Sequence, residues 1–149
     1  MIKQNYTLLL ADDDEDDCDF FKDVLDELLF SVALDIVNDG EQLMNLLLAK
    51  DSNSLPDLLF LDLNMPRKSG FECLTEIKMI DKLKDLPVII FSTSLNMDIV
   101  DIMYEKGAIH YIQKPCEFPK LKKVIEIALN ISAQNNFKQP HRESFILQP

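Results

Sequence analysis

The sequence predicts an α/β fold in which helices cover a single parallel β-sheet. Short runs rich in Leu, Ile, Val and Phe recur along the 149-residue chain, as expected of strands that are buried on both faces. Longer segments with helically spaced apolar residues separate these runs. This alternation is typical of consecutive βα units.

Five runs have the length and composition of buried strands. The predicted strands are Tyr6–Ala11, Ala33–Val37, Leu58–Leu61, Val88–Phe91 and His110–Ile112. A helix is predicted after each strand. The first has five apolar residues on the face expected to cover the sheet: Phe20, Phe21, Val24, Leu25 and Leu28. The other four helices are predicted at Glu41–Ala49, Phe71 to about Ile80, Met97–Lys106 and Phe118 to about Ser132.

Size and periodicity predict one domain over residues 1–133, followed by a C-terminal tail, 134–149, without an output domain. The tail is mostly polar but contains the apolar triplet Phe145-Ile146-Leu147. We expect this triplet to dock on the domain or on a neighbouring protomer, and packing between crystal copies is the alternative. A homodimer is therefore possible.

The net charge of -11 argues against nucleic acid as a partner, because affinity for phosphates comes from clustered Lys and Arg. The sequence contains neither a signal peptide nor an apolar run of membrane-spanning length. A cytoplasmic protein without a membrane partner is expected.

Acidic residues follow two of the predicted strands directly. Asp12 and Asp13 follow the first strand, and Asp62 follows the third. Because functional groups in open α/β sheets gather at the carboxyl ends of the strands, these carboxylates should lie close together and repel one another. Mg²⁺ suits such a cluster. The alternative is that the acidic run caps the following helix, which is the only role expected of Asp14, Asp16 and Asp17.

Two further polar groups end strands at the same edge. Ser92 follows the fourth strand, and Lys114 follows the fifth. The hydroxyl and the ammonium can both donate to an anionic oxygen. A cis peptide bond at Pro115 is expected to help direct Lys114 inward.

The order Asp-Asp, Asp, Ser or Thr, Lys-Pro on successive strands resembles the receiver domain of two-component response regulators over residues 6 to about 132. The resemblance implies a flavodoxin-like (βα)5 doubly wound, five-stranded parallel sheet with strand order 2-1-3-4-5. It also implies phosphorylation with Mg²⁺ by a sensor histidine kinase or a phosphotransfer protein, and a downstream protein partner. The segment DLNMPRKSGFE, residues 62 to 72, is similar to stand-alone receivers associated with phytochrome-type sensor kinases.

The resemblance gives each matching residue an expected role. Asp62 is the expected phosphoacceptor, assisted by Lys114 and Ser92. The expected metal ligands are Asp12, Asp13, Asp62 and the backbone carbonyl of Asn64, and the expected switch residues are Ser92 and Tyr111. Phosphorylation is expected to draw Ser92 inward and to turn the Tyr111 ring from an exposed to a buried position.

Two alternatives remain at this stage. An Mg²⁺-dependent phosphohydrolase with an aspartyl-phosphate intermediate would also place an aspartate after a strand, but it needs a proton donor where this chain has Asn64. A phosphate sink without an output partner would have the same site as a regulator. The expected function is a phosphoacceptor regulator and not a dedicated enzyme.

Overall fold

The computed structural model describes residues 5–28 and 31–149, so residues 1–4 and 29–30 of the predicted domain lie outside the described part. The strands are β1 (Asn5–Ala11), β2 (Ser31–Val37), β3 (Leu58–Leu61), β4 (Val88–Ser92), β5 (His110–Gln113) and β6 (Ile146–Leu147). The helices are α1 (Glu15–Glu27), α2 (Gly40–Ala49), α3 (Gly70–Met79), α4 (Met97–Glu105) and α5 (Phe118–Gln134). All ten elements of the predicted (βα)5 unit are present, and the nine elements whose ends were predicted end within two residues of the prediction.

One parallel sheet runs through the molecule in the order β2-β1-β3-β4-β5-β6. The predicted order 2-1-3-4-5 is confirmed. The predicted number of strands is wrong, because the tail adds a sixth strand beside β5. The division into domain and tail at residue 133 stays a prediction.

Two apolar layers hold the helices on the sheet. Helices α1 and α5 pack on one face, and α2, α3 and α4 pack on the other. Strands β3 and β4 are buried throughout, which explains their continuous apolar sequences. Among the described residues, no helix is long and apolar enough to cross a lipid bilayer.

The buried face of α1 is narrower than the sequence predicts. Phe21 is fully buried, and its ring packs edge-on against Phe60 at 5.0 Å and Phe91 at 5.7 Å between centroids. Phe20 is 50% exposed instead of buried. Successive residues on a helix point about 100° apart, so only one of two adjacent phenylalanines can face the middle of the sheet.

Side chains before the helices fix where most of them begin. Asp14, Asp39 and Asn96 accept backbone N–H bonds at the starts of α1, α2 and α4. Ser69 and Glu72 form a capping box at α3. These caps satisfy N–H groups that have no partner within a helix.

Candidate functional site

An acidic cluster lies at the carboxyl edge of the sheet. Asp12 and Asp13 leave β1 beside Asp62, because β1 and β3 are parallel and Ala11 pairs with Leu61. One oxygen from each of the three carboxylates lies within 4.8 Å of the others. Asp12 and Asp62 are buried, whereas Asp13 is exposed. The structure therefore brings together the three carboxylates that the sequence places at this edge.

Backbone contacts hold the Asp62 loop in position. The Asp62 N–H donates to the carbonyl of Ala11 at 3.0 Å, and the Asn64 N–H donates to Asp62 Oδ1 at 3.3 Å. A Cβ atom on Gly70 would lie 2.2 Å from the Asp62 carbonyl oxygen. Only glycine allows the loop after β3 to fold back this closely before α3 begins.

Lys114 connects the carboxylates. Its Nζ lies 2.7 Å from Asp12 Oδ2, 2.9 Å from Asp17 Oδ2 and 3.3 Å from Asp62 Oδ2. The Lys114 side chain is only 7% exposed. A lysine ammonium has three N–H donors, so each of these carboxylates can accept one of them.

The backbone fixes the start of the Lys114 side chain. The Lys114 N–H donates to the Ser92 carbonyl at 2.8 Å, and Nζ lies 5.4 Å from the centre of the Phe91 ring. The Lys114–Pro115 bond is trans, so the expected cis bond is wrong. The flexible four-carbon stem reaches the carboxylates without it.

Burial and hydrogen bonding shift the pKa values of Asp12 and Lys114 in opposite directions. Burial raises the pKa of Asp12 to about 6, although the hydrogen bond from Lys114 lowers it. Burial by itself would lower the pKa of Lys114, but hydrogen bonds to Asp12 and Asp17 outweigh it and raise the pKa. One ammonium does not balance all the carboxylates. The excess of hard oxygen donors fits an additional cation such as Mg²⁺.

Asp17 has a role that the sequence did not reveal. It follows the cap residue Asp14 in the first turn of α1, and its own N–H donates to Asp14 Oδ1 at 3.1 Å. From the sequence, Asp17 was therefore predicted only to stabilise the start of the helix as an acidic residue. Its side chain also pairs with Lys114, which places a further carboxylate beside the cluster.

Ser92 and Tyr111 both contact the loop after β4. Ser92 Oγ lies 3.3 Å from Ser94 Oγ and accepts the Ser94 N–H at 3.3 Å, while Tyr111 Oη donates to the Ser94 carbonyl at 2.7 Å. The Tyr111 side chain is buried. Phe145 in the tail packs beside this ring, with 6.5 Å between centroids, and the turn of the ring on phosphorylation stays a prediction.

Asn64 is the remaining predicted site residue, and no role at the site was predicted for the two histidines. The Asn64 side chain is exposed, and its carbonyl as a metal ligand stays a prediction. The chain's two histidines, His110 and His141, lie apart from the acidic cluster: His110 is buried in β5, and His141 precedes the short 3₁₀ turn Arg142–Ser144.

Similarity to known proteins agrees with the fold. The chain is 34% identical over 122 residues to response regulator Rcp1 of Synechocystis, which covers 80% of this chain and 83% of Rcp1. The crystal structure of the Mn²⁺-bound form of Rcp1 has a TM-score of 0.73 over 85% of this chain and 91% of that one. The phosphorylated cyanobacterial phytochrome response regulator RcpA has a TM-score of 0.77 at 29% identity, over 89% of this chain and 96% of that one.

Most of the chain also matches the model of one protein family. Residues 8–126 match the response regulator receiver domain, a range that contains the acidic cluster, Lys114, Ser92 and Tyr111. The chain belongs to the receiver domains of two-component response regulators.

Proposed function

We propose that this receiver accepts a phosphoryl group on Asp62 in an Mg²⁺-dependent reaction and that phosphorylation changes a protein-binding surface. The observation that carries the proposal is the arrangement around Asp62. A carboxylate at the end of a buried strand lies beside the Lys114 ammonium and within 4.8 Å of two other carboxylates. This arrangement suits a carboxylate nucleophile whose negative charge is offset by neighbouring cationic groups.

Asp62 attacks the phosphorus atom of a phosphohistidine or an acyl phosphate. A new P–O bond forms to a carboxylate oxygen, and the bond from phosphorus to the donor's nitrogen or oxygen breaks, with its electron pair staying on the donor. Lys114 exchanges a carboxylate partner for an oxygen of the arriving phosphoryl group. The Ser92 hydroxyl donates to another of these oxygens.

Asp12, Asp13, Asp62 and the Asn64 carbonyl are the groups that would hold Mg²⁺. Bound there, the ion supplies positive charge that offsets the repulsion among the carboxylates and the incoming phosphoryl oxygens. The crowding of the acidic cluster supports this assignment. The Mn²⁺-bound form of Rcp1 supports it by similarity.

A sensor histidine kinase or a phosphotransfer protein is the proposed donor. RcpA, described as a phytochrome response regulator and crystallised in phosphorylated form, supports phosphorylation by similarity. The proposed output is a change near Ser92 and Tyr111 that a downstream protein reads. A phosphate sink has the same site and differs only in lacking that downstream partner.

Intact-protein mass spectrometry after incubation with acetyl phosphate and Mg²⁺ tests the proposal. The wild type should gain the mass of one phosphoryl group, Asp62→Asn should gain none, and the exposed-site control Asp81→Asn should react like the wild type. Chelation of the metal should prevent the reaction. Equal labelling of Asp62→Asn and the wild type would show that another residue is the acceptor.

The metal ligands can be tested separately by thermal unfolding. Mg²⁺ should raise the melting temperature of the wild type, because a ligand that binds only the folded state stabilises it. Asp13→Ala should lose most of this rise, whereas Asp16→Ala, which changes an exposed acidic residue nearby, should keep it. An unchanged response of Asp13→Ala would exclude Asp13 as a ligand.

A further inference from the structure

The C-terminal tail contacts the element that is proposed to report phosphorylation. The carbonyl of Phe145 accepts the Tyr111 N–H at 3.1 Å and also lies 3.1 Å from His110 Nδ1. Because a carbonyl can only accept, Nδ1 of His110 carries the proton in this contact. A single tail carbonyl is therefore bound by two adjacent residues of β5.

Side-chain packing adds to the backbone contact between the tail and β5. The fully buried Phe145 ring lies edge-on to Tyr104 of α4, with 5.1 Å between centroids, and 6.5 Å from the Tyr111 ring. Tyr104 Oη donates to the Pro140 carbonyl at 2.8 Å. The tail therefore covers the groove between α4 and β5 and forms one wall around the Tyr111 ring.

Hydrogen bonds also connect the tail to α4 and to the segment that follows α4. Gln139 Nε2 donates to the carbonyls of Tyr104 at 2.7 Å and Ala108 at 2.8 Å. Arg142 Nε donates to Asp101 Oδ1 at 2.8 Å. These contacts lie outside the acidic cluster, so they can be changed without altering the groups that bind or transfer phosphate.

Tyr111 is also connected to the phosphorylation site from its other end. Its hydroxyl donates to Ser94, and Ser94 in turn contacts the Ser92 hydroxyl. A state with the Tyr111 ring turned outward would lose the bond to Ser94 and the contact with Phe145 together. Tail docking disfavours this outward state through Phe145, and the proposed inward move of Ser92 would disfavour it as well, because that move leaves space for the buried ring beside β4.

We propose that docking of the tail on β5 and phosphorylation of Asp62 favour each other through the buried Tyr111 ring. This inference rests on the proposed function of Asp62. Two events that disfavour one common state must assist each other, and the coupling is reciprocal. Phosphorylation should tighten the tail, and loosening the tail should lower the fraction of protein that is phosphorylated.

The test uses full-length Phe145→Ala, with Glu143→Gln as a control in an exposed part of the tail. Hydrogen exchange at the Tyr111 amide reports docking, because that N–H is bonded to Phe145. Protection in the wild type should increase about five-fold or more on phosphorylation, within the usual range of coupling between sites. Phe145→Ala should lose protection, and its phosphorylated fraction in limiting acetyl phosphate should fall by a similar factor.

Arg142→Gln provides a second variant that leaves the core intact, since this ion pair is partly exposed. It should change both measurements in the same direction as Phe145→Ala, by a smaller factor. If the tail loosens in either variant while the phosphorylated fraction equals that of Glu143→Gln, the coupling is absent. If the wild type takes up no phosphoryl group, the proposed function fails, and the coupling fails with it.

Discussion

The clearest energetic prediction concerns Lys114→Met, which keeps an apolar stem but removes the ammonium. At an effective dielectric constant of about 20, the attraction between Lys114 and Asp12 across 2.7 Å is about 6 kcal/mol. The variant also avoids burying an ammonium, which offsets several kcal/mol of this loss. We expect the free energy of unfolding to fall by about 3 kcal/mol without Mg²⁺, at the low end for a broken buried ion pair.

Urea unfolding with linear extrapolation measures this loss. Saturating Mg²⁺ should reduce it to below about 1 kcal/mol, because the bound cation replaces positive charge beside the same carboxylates. Lys122→Met is the matched control. Its ion pair with Glu27 is exposed, so that change should cost less than about 1 kcal/mol.

Two outcomes would refute this reasoning. A loss below about 1 kcal/mol without Mg²⁺ would mean that Lys114 does not offset the charge of the acidic cluster. An equal loss with and without Mg²⁺ would mean that the metal and the ammonium do not act on the same carboxylates.

Three other perturbations test separate parts of the structure. Phe21→Ala should lower the free energy of unfolding by about 3–5 kcal/mol, and Phe20→Ala by less than about 1 kcal/mol, in urea unfolding; similar losses would contradict the difference in burial. Asp17→Asn should lower the half-saturating concentration of acetyl phosphate about two- to five-fold, because it removes one partly exposed negative charge from the approach of an anionic donor; Asp16→Asn should have less effect, and equal shifts would contradict this assignment. Burial lowers the pKa of His110 below 6.5, so its contribution to stability is complete above about pH 6.5 and is lost as pH falls toward its folded pKa. Between about pH 7 and about pH 5.5, the free energy of unfolding should therefore decline more steeply in the wild type than in His110→Gln, and parallel pH profiles would show that His110 does not titrate differently on folding.

The sequence was sufficient to predict the central strands and the acidic cluster because those features have local signals. Strands β3 and β4 are continuous apolar runs, and Asp62 follows one of them directly. A buried parallel strand and the residue that leaves its carboxyl end are therefore visible without knowledge of their neighbours.

Features that depend on distant contacts were missed or wrongly predicted. Asp17 lies within an acidic run, and nothing local distinguishes it from a residue that only favours the helix start. Strand β6 is too short to show a period of two. The contact between Tyr111 and Phe145 was not predicted, because Phe145 lies 34 residues later in the sequence.

The two-residue β6 also has a consequence for solubility. Without the tail, β5 would be the last strand of the sheet and would present unpaired backbone groups beside Tyr111 and Ile112 to other chains. Exposed sheet edges of this kind promote pairing between molecules, and very short edge strands reduce that risk. A chain that loses Ile146 and Leu147 should therefore aggregate more readily than its acidic surface would suggest.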